Sequence, residues 1–475
     1  VTSNQELIQA TACAIVDRLN AGDVTPLDLL DVLEARIAQV DGKVNALPTL
    51  CFDRARGHAR ELMKRPAGER GLLAGMPVPI KDLTAVAGVR TTQGSPIFKD
   101  AVPARSDILV EHLEAQGAVI YAKSNTPEFG AGANTFNEVF GATRNPFDLS
   151  RSAAGSSGGA AAALASGTAW LAHGSDLGGS LRNPASFCGI VGMRPSFGRV
   201  AHSRSAQVDR SISVHGPMAR NVEDLALLLD AMSGEHPADP MSLPALPASF
   251  RSAVHTGARP KRIAYSADLG ITPVDPEVAD ITRKAAARFA EAGAIVEEAH
   301  PDLSEAHRCF HVLRAYDYVL TKAALLRGDK RDLLKPEVIW NIEEGLKLTM
   351  ADLERAQSQR AAMTRRTLEF FETYDLLLTP ATIVAPFPVE QRYVAECAGR
   401  KFDNYIEWLG IAYAITLVCC PALSLPCGST SLGLPVGLQM AAAPRGEARL
   451  LAGAKLLEDI LGLHGAKPID PRGTV

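Results

Sequence analysis

Helical and strand patterns take turns along this chain, and that alternation most narrows the folds open to it. "SDILVEHLEAQG" at Ser106–Gly117 spaces its apolar residues as a helix does and stops on glycine. "AVIYAKSN" at Ala118–Asn125 follows at once as a short apolar strand. Two helices open the chain, one near Gln5–Leu19 and one from a cap at Thr25-Pro26 to about Val40. "GLLAGMPVPIKDL" reads as a strand that ends at Lys81 and Asp82, and the alanine-rich run Gly159–Ser166 as a helix preceded by glycines and serines. Val222–Gly234 predicts another helix. "RIAYS", then Pro276–Ala292, then "AIVEEA" make a strand–helix–strand unit. Residues about 303–375 read as an inserted helical, charged layer. Strands return in "LLLTPAT" and "PALSLPCG", and "RGEARLLAGAKLLEDILG" closes as a helix. The alternation predicts an α/β core with a mostly parallel or mixed sheet.

At 475 residues and 47% hydrophobic content, the chain has material for a large core, as two or three ordinary domains or one large one. A formal charge of −4 argues against nucleic acid or an anionic membrane as the main partner. None of the eight cysteines forms a CxxC pair, and the eleven histidines show no metal-ligand spacing, so buried free thiols and no metal are expected. The N-terminus does not read as a signal peptide. "IAYAITLVCCPALSLPCG", Ile411–Gly428, is broken by Pro421 and Pro426 and reads as a buried strand or strand-loop rather than a membrane span. The expected setting is cytoplasmic.

Three elements could carry chemistry. Lys81 follows an apolar run. Burial there would favour the neutral amine, but neutrality near pH 7 needs a drop of roughly three units, about 4 kcal/mol. The alternative is a strand-end lysine that reaches water or pairs with Asp82. "AGSSGG", Ala154–Gly159, satisfies GxSxG with Ser157 at its centre, which would be the nucleophile elbow of an α/β-hydrolase with a histidine such as His215 or His300 as base. A phosphate loop or a plain flexible loop would fit the same letters. In "GSDLGGSLRNPASFCG", Gly174–Gly189, the backbone N–H groups of Leu177, Gly178, Gly179 and Ser180 could converge on one oxygen, with Ser180 placed to attack. A glycine-rich turn is the plainer alternative.

Taken together these stretches resemble the amidase signature family. The likeness covers most of the chain and is densest from about Leu73 to Val200, with more in "SISVHGPMARNVEDLALLL" and "GLPVGLQMAA". Spacing agrees as well as letters: 24 residues separate Ser156 from Ser180, and 99 separate Lys81 from Ser180. The resemblance implies one large domain over residues 1–475, with a mixed, twisted sheet surrounded by helices and the 303–375 layer shaping the substrate pocket. It implies a Ser–cis-Ser–Lys set with Ser180 as nucleophile, Ser156 as the bridging serine on a cis peptide and Lys81 as terminal base. It also implies an acyl site near the oxyanion hole lined by Gly130 and Ala131. Departures are small: Ala154 replaces a usual glycine, Ser175 a usual threonine, and "GMRP" at Gly192–Pro195 a common "GLKP".

The expected reaction is hydrolysis of an amide, or of a carbamate (urethane) or ester, through an acyl-enzyme, without metal or organic cofactor. The expected partner is a small-molecule acyl substrate, with a homodimer as the assembly the family suggests. A rival within the resemblance is the glutaminase component of the amidotransferase that amidates misacylated tRNA. Pocket residues are expected from Thr126–Asn137, from the segment after Arg199, and from about 305–345. Few charges lie in the first of these, which suggests a hydrophobic or aryl acyl group. Arg199 or Arg204 could instead read a carboxylate, or simply be solvated at the surface.

Overall fold

In the computed structural model, which describes residues 3–203, 210–463 and 466–473, a small and a large sheet flank one buried helix. The small sheet pairs Pro77–Lys81 parallel to Val119–Ser124, with Thr49–Leu50 antiparallel on the other side. The crossover between the parallel strands contains the helix Ile108–Ala115, capped by Asp107. Pro77–Lys81 is buried along its length, so Lys81 has no path by which to extend to water.

The large sheet has eight strands: β1 (Leu171–Asp176), β2 (Val191–Arg194), β3 (Val214–Ala219), β4 (Arg262–Tyr265), β5 (Ile295–Glu298), β6 (Leu376–Pro380), β7 (Ala422–Ser429) and β8 (Pro435–Ala441). Their order is β5-β4-β6-β8-β7-β2-β3-β1. Only β4 pairs in parallel, with β5 and β6; the remaining pairings are antiparallel. The sheet is therefore mixed, not mostly parallel. A tight hairpin such as β7–β8 can only join antiparallel neighbours, and the strand–helix–strand unit at β4–β5 supplies a parallel pair.

The alanine-rich helix, Gly158–Ser166, is buried at every position and touches Pro77–Lys81, Val119–Ser124, β1 and β3. Small side chains permit this approach. At Gly159 a Cβ would lie 2.3 Å from the backbone nitrogen of Asn125, a separation no side chain tolerates. The helix start, with Ser156 and Ser157 just before it, is thereby pressed against the end of the Lys81 strand.

Helices Ala306–Lys322, Pro336–Leu346 and Met350–Phe370 pack on one another as a layer over the sheet. Phe310 of the first stacks on Tyr413 at 4.1 Å within a second apolar cluster. The whole is a single large domain with a central mixed sheet flanked by helices.

Two segments differ from expectation. The first predicted helix is split into Asn4–Gln9 and Ala12–Ala21, because Thr11 caps the second piece and Asp224 accepts from the Ala12 and Cys13 amides at 2.8 and 2.9 Å. The apolar stretch 411–428 is half helix, Gly410–Leu417, before it becomes β7. All eight residues of that helix are buried, so no amphipathic period marks it. Among the described residues no helix is long and apolar enough to cross a membrane.

Candidate active site

Lys81 points inward. The carboxylate beside it, Asp82, is taken by Thr92 and by Lys123 at 3.4 Å, so the Lys81–Asp82 pair that the local sequence allows does not form. Lys81 Nζ lies 2.6 Å from Ser156 Oγ, 2.9 Å from Ser157 Oγ, and 3.1 and 3.3 Å from the hydroxyl and carbonyl oxygens of Ser175. Complete burial pushes its pKa from 10.5 down to about 7, with the Asp176 charge pulling the other way.

Ser156 follows a cis peptide bond, Gly155–Ser156, and is 3% exposed. Gly130 faces it in a left-handed conformation, φ +74°, and a Cβ at Gly130 would stand 3.3 Å from Ser156 Oγ. Ser180 is half-buried on the same cavity and its carbonyl accepts from the Ser157 amide at 3.2 Å. Among the described residues no hydrogen bond joins the Ser156 and Ser180 hydroxyls. The structure thus brings Lys81 and Ser156 into direct contact and sets Ser180 beside them, one step unlinked.

The loop 177–180 hangs on Asp176. Its Oδ1 accepts from the Gly179 amide at 2.9 Å and from Arg182 Nη2 at 3.0 Å, and its Oδ2 from the Leu181 amide and Arg182 Nε, both at 3.1 Å. Burial opposes a charge on Asp176, yet the guanidiniums of Arg182 and Arg194 hold it well below the usual carboxylate range. Arg182 is itself buried and also reaches Ala412 O, Thr416 Oγ1 and Gln439 Oε1. Because the Gly179 N–H is spent on Asp176, it is not free to face a substrate oxygen. Removing one charge from such a network costs about 3–5 kcal/mol. Asp176→Asn is expected to lose that much in equilibrium urea unfolding; an unchanged midpoint would mean the network does not hold the loop.

Ser156, Ser175, Leu177, Ser180 and Gly130 open onto a cavity of about 490 Å³. Its far walls come from Phe98, Phe129, His202, Ser203, Arg210 and the helix Ala306–Lys322. The amidase family profile matches residues 28–451. This chain belongs to the amidase signature family. Its amidase relatives include the A component of the glutamyl-tRNA(Gln) amidotransferase of Moorella thermoacetica, 36% identical over 98% of this chain and 99% of the relative. They also include an acylamidase of Rhodococcus erythropolis, 34% identical over 98% and 99%. Among solved structures, a bacterial aryl acylamidase of the family superposes with a TM-score of 0.89 at 27% identity, covering 97% of this chain and 99% of that one. The amidase chain is an enzyme of C–N bond hydrolysis.

Other expected residues of the amidase fall elsewhere. Ala131 does not line the cavity; it packs with Tyr318, Leu334 and Val338, and its carbonyl accepts from Lys335 Nζ at 2.9 Å. Gly178 and Gly179 have no room for a side chain, since a Cβ would meet Phe310 at 2.8 Å and Asn183 at 2.6 Å respectively. Arg199 is neither solvated nor in the cavity: it is 3% exposed, donates to Pro244 O at 3.1 Å and lies 3.7 Å from Glu447. Arg204 lies outside the described residues. Ser157 Oγ is bonded to Lys81 and Ser175, His215 Nδ1 meets His173 Nε2 at 2.8 Å, and His300 faces the Pro301 carbonyl. The GxSxG elbow with a histidine base therefore does not assemble.

Sequence reasoning missed Ser157 and Ser175 as neighbours of the lysine, and Asp176, Arg182 and Arg194 as the loop's anchor. The signal in "GSDLGGSLR" was faint: an acid and a base of this kind are mostly exposed, and only a pairing of the two would let both be buried.

Proposed function

We propose that this chain is a stand-alone amidase that converts an amide to acid plus amine or ammonia through an acyl-enzyme on Ser180, with Ser156 as proton relay and Lys81 as base. The observation that carries the reading is the 2.6 Å approach of a buried amine, titrating near pH 7, to Ser156 beside the cavity that Ser180 shares. A neutral lysine has one lone pair and two N–H bonds. The lone pair accepts the Ser156 proton while the N–H bonds donate to Ser157 and Ser175, which aims the lone pair at its partner.

Ser180 Oγ attacks the carbonyl carbon as its proton passes to Ser156 and the Ser156 proton to Lys81. The tetrahedral oxyanion faces the amides of Leu177 and Gly178; Gly179 shapes the loop rather than donating. Such donors are worth about 3–4 kcal/mol each. Collapse breaks the C–N bond, and the proton returns through Ser156 to the leaving nitrogen. Water then repeats the cycle on the acyl-enzyme. The relay closes once Ser180 Oγ turns within hydrogen-bond reach of Ser156, a tightening common on substrate binding. Carbamates and esters offer the same carbonyl, and the rings of Phe98, Phe129 and Tyr318 on the cavity wall favour an aryl or hydrocarbon portion.

The 36% identity to an amidotransferase component favours a second reading, glutamine hydrolysis within a tRNA-dependent complex. A panel of primary amides, anilides, esters and carbamates, assayed beside glutamine with and without misacylated tRNA and partner proteins, separates them. Turnover of simple amides by the isolated chain is expected; activity confined to glutamine and dependent on partners overturns the stand-alone reading. A cytoplasmic setting, in keeping with eight free cysteines, and a homodimer belong to the same proposal.

A further inference from the structure

One wall of the cavity carries charge that the described residues do not balance. Arg314, Asp317, Tyr318, Thr321 and Lys322, all on the helix Ala306–Lys322, face the space that Ser156 and Ser180 line. Asp317 is occupied: Arg210 Nη2 donates to its Oδ2 at 2.9 Å and Arg210 Nε to its Oδ1. Arg314 is 6% exposed, and its Nε and Nη2 donate to Asn341 Oδ1 at 3.1 Å, Tyr318 Oη at 3.2 Å and Tyr405 Oη at 3.1 Å. All three acceptors are neutral, and among the described residues Nη1 makes no hydrogen bond. Lys322 Nζ donates to Thr321 Oγ1, at 3.0 Å, and lies 5.2 and 5.4 Å from the ring centres of Tyr318 and Phe129. Among the described residues neither cation is ion-paired.

The two positions are eight residues apart on one helix face, with Tyr318 between them. Its ring lies 4.9 Å from the Arg314 guanidinium carbon and 5.2 Å from the Lys322 ammonium. A sheltered guanidinium with an unused nitrogen beside a sheltered ammonium is costly unless an anion completes it. A carboxylate matches the charge on this wall, and either cation can donate to it. An amine-bearing substrate would meet two positive charges that are not ion-paired among the described residues. A purely hydrocarbon one would leave both without a counter-ion.

We propose that the substrate carries a carboxylate remote from its scissile amide, drawn to the wall of the cavity that Arg314 and Lys322 line. This rests on the acyl-enzyme reading above and adds the charge of the substrate to it. The carboxylate can belong to the acyl half, as in the half-amide of a dicarboxylic acid, or to the amine half, as in an N-acylated amino acid.

Two matched pairs tell these apart. Glutaric acid monoanilide against hexananilide places the charge on the acyl half; 4-acetamidobenzoate against 4-methylacetanilide places it on the amine half. In wild type, kcat/KM for one carboxylate is expected to exceed that for its neutral partner at least about tenfold. Lys322→Met is expected to collapse that ratio, chiefly through KM, and Lys322→Arg to retain it. A ratio near one in both pairs, or a ratio that Lys322→Met leaves intact, overturns the proposal. Equilibrium dialysis of the same four compounds against Ser180→Ala protein reads the charge preference without turnover, so it also decides the matter if Lys322→Met does not fold. Equal binding within each pair there is equally fatal. Loss of the acyl-enzyme reading looks different: wild type would hydrolyse none of the four, and a fluorophosphonate would leave Ser180 unlabelled.

Discussion

Ser180→Ala is expected to lower kcat/KM for any amide substrate by at least about four orders of magnitude, because the attacking atom is gone while binding and the oxyanion amides remain. The same substitution is expected to leave stability within about 0.5 kcal/mol, since the Ser180 hydroxyl is half-exposed and makes no hydrogen bond among the described residues. Intact folding with lost turnover separates chemistry from structure. A fluorophosphonate provides the covalent counterpart: wild type is labelled at Ser180 and the variant is not. Normal turnover by Ser180→Ala would sink the assignment of the nucleophile outright.

The second large effect belongs to Lys81. Its pKa near 7 sets the base half-neutral at neutral pH, so kcat/KM of wild type is expected to rise tenfold per pH unit below about 7 and to level off above it. Lys81→Met is expected to lose about 10²–10⁴-fold and to lose that rise with it. Stability follows the same titration. The unfolded lysine titrates near its ordinary 10.5 and the folded one near 7, so between these values the unfolded state binds more protons and stability increases with pH. The penalty for burying the ammonium is complete below about pH 7 and fades as pH approaches 10.5. Lys81→Met removes it, so the variant is expected to be no less stable than wild type at pH 6 and to show a flatter stability profile from pH 7 to 10. An activity profile that falls with rising pH across this range would exclude a neutral Lys81 as base.

The helices and strands that carry strong periodicity or caps were readable residue by residue. Thr25 with Asp28 forms the capping box that starts the second predicted helix, and Ile108–Ala115 and Val119–Ser124 fall inside the ranges their patterns predict. Strand direction was not readable, because hydrophobic pattern reports burial and not the neighbour across the ladder. In the site, Lys81, Ser156 and Ser180 were legible as residue types at family spacing. The use to which each backbone amide is put was not. That Gly179 donates to Asp176, and that Ala131 packs with Tyr318, Leu334 and Val338, follow from loop conformation, which glycine- and alanine-rich segments leave open. Arg314 and Lys322 stood out still less: on a charged helical layer they resemble any solvated face until the partners of their neighbours are known.

Arg182 spans from Asp176 to Ala412 and Gln439, which ties the loop beside Ser180 to segments more than two hundred residues further along the chain. Truncation anywhere before β8 would therefore disarm the enzyme without touching a reacting group. The far wall draws on separate segments, Phe98, Phe129, Arg210 and the C-terminal half of the helix Ala306–Lys322 among them, so side chains there can change while the Asp176 loop stays put.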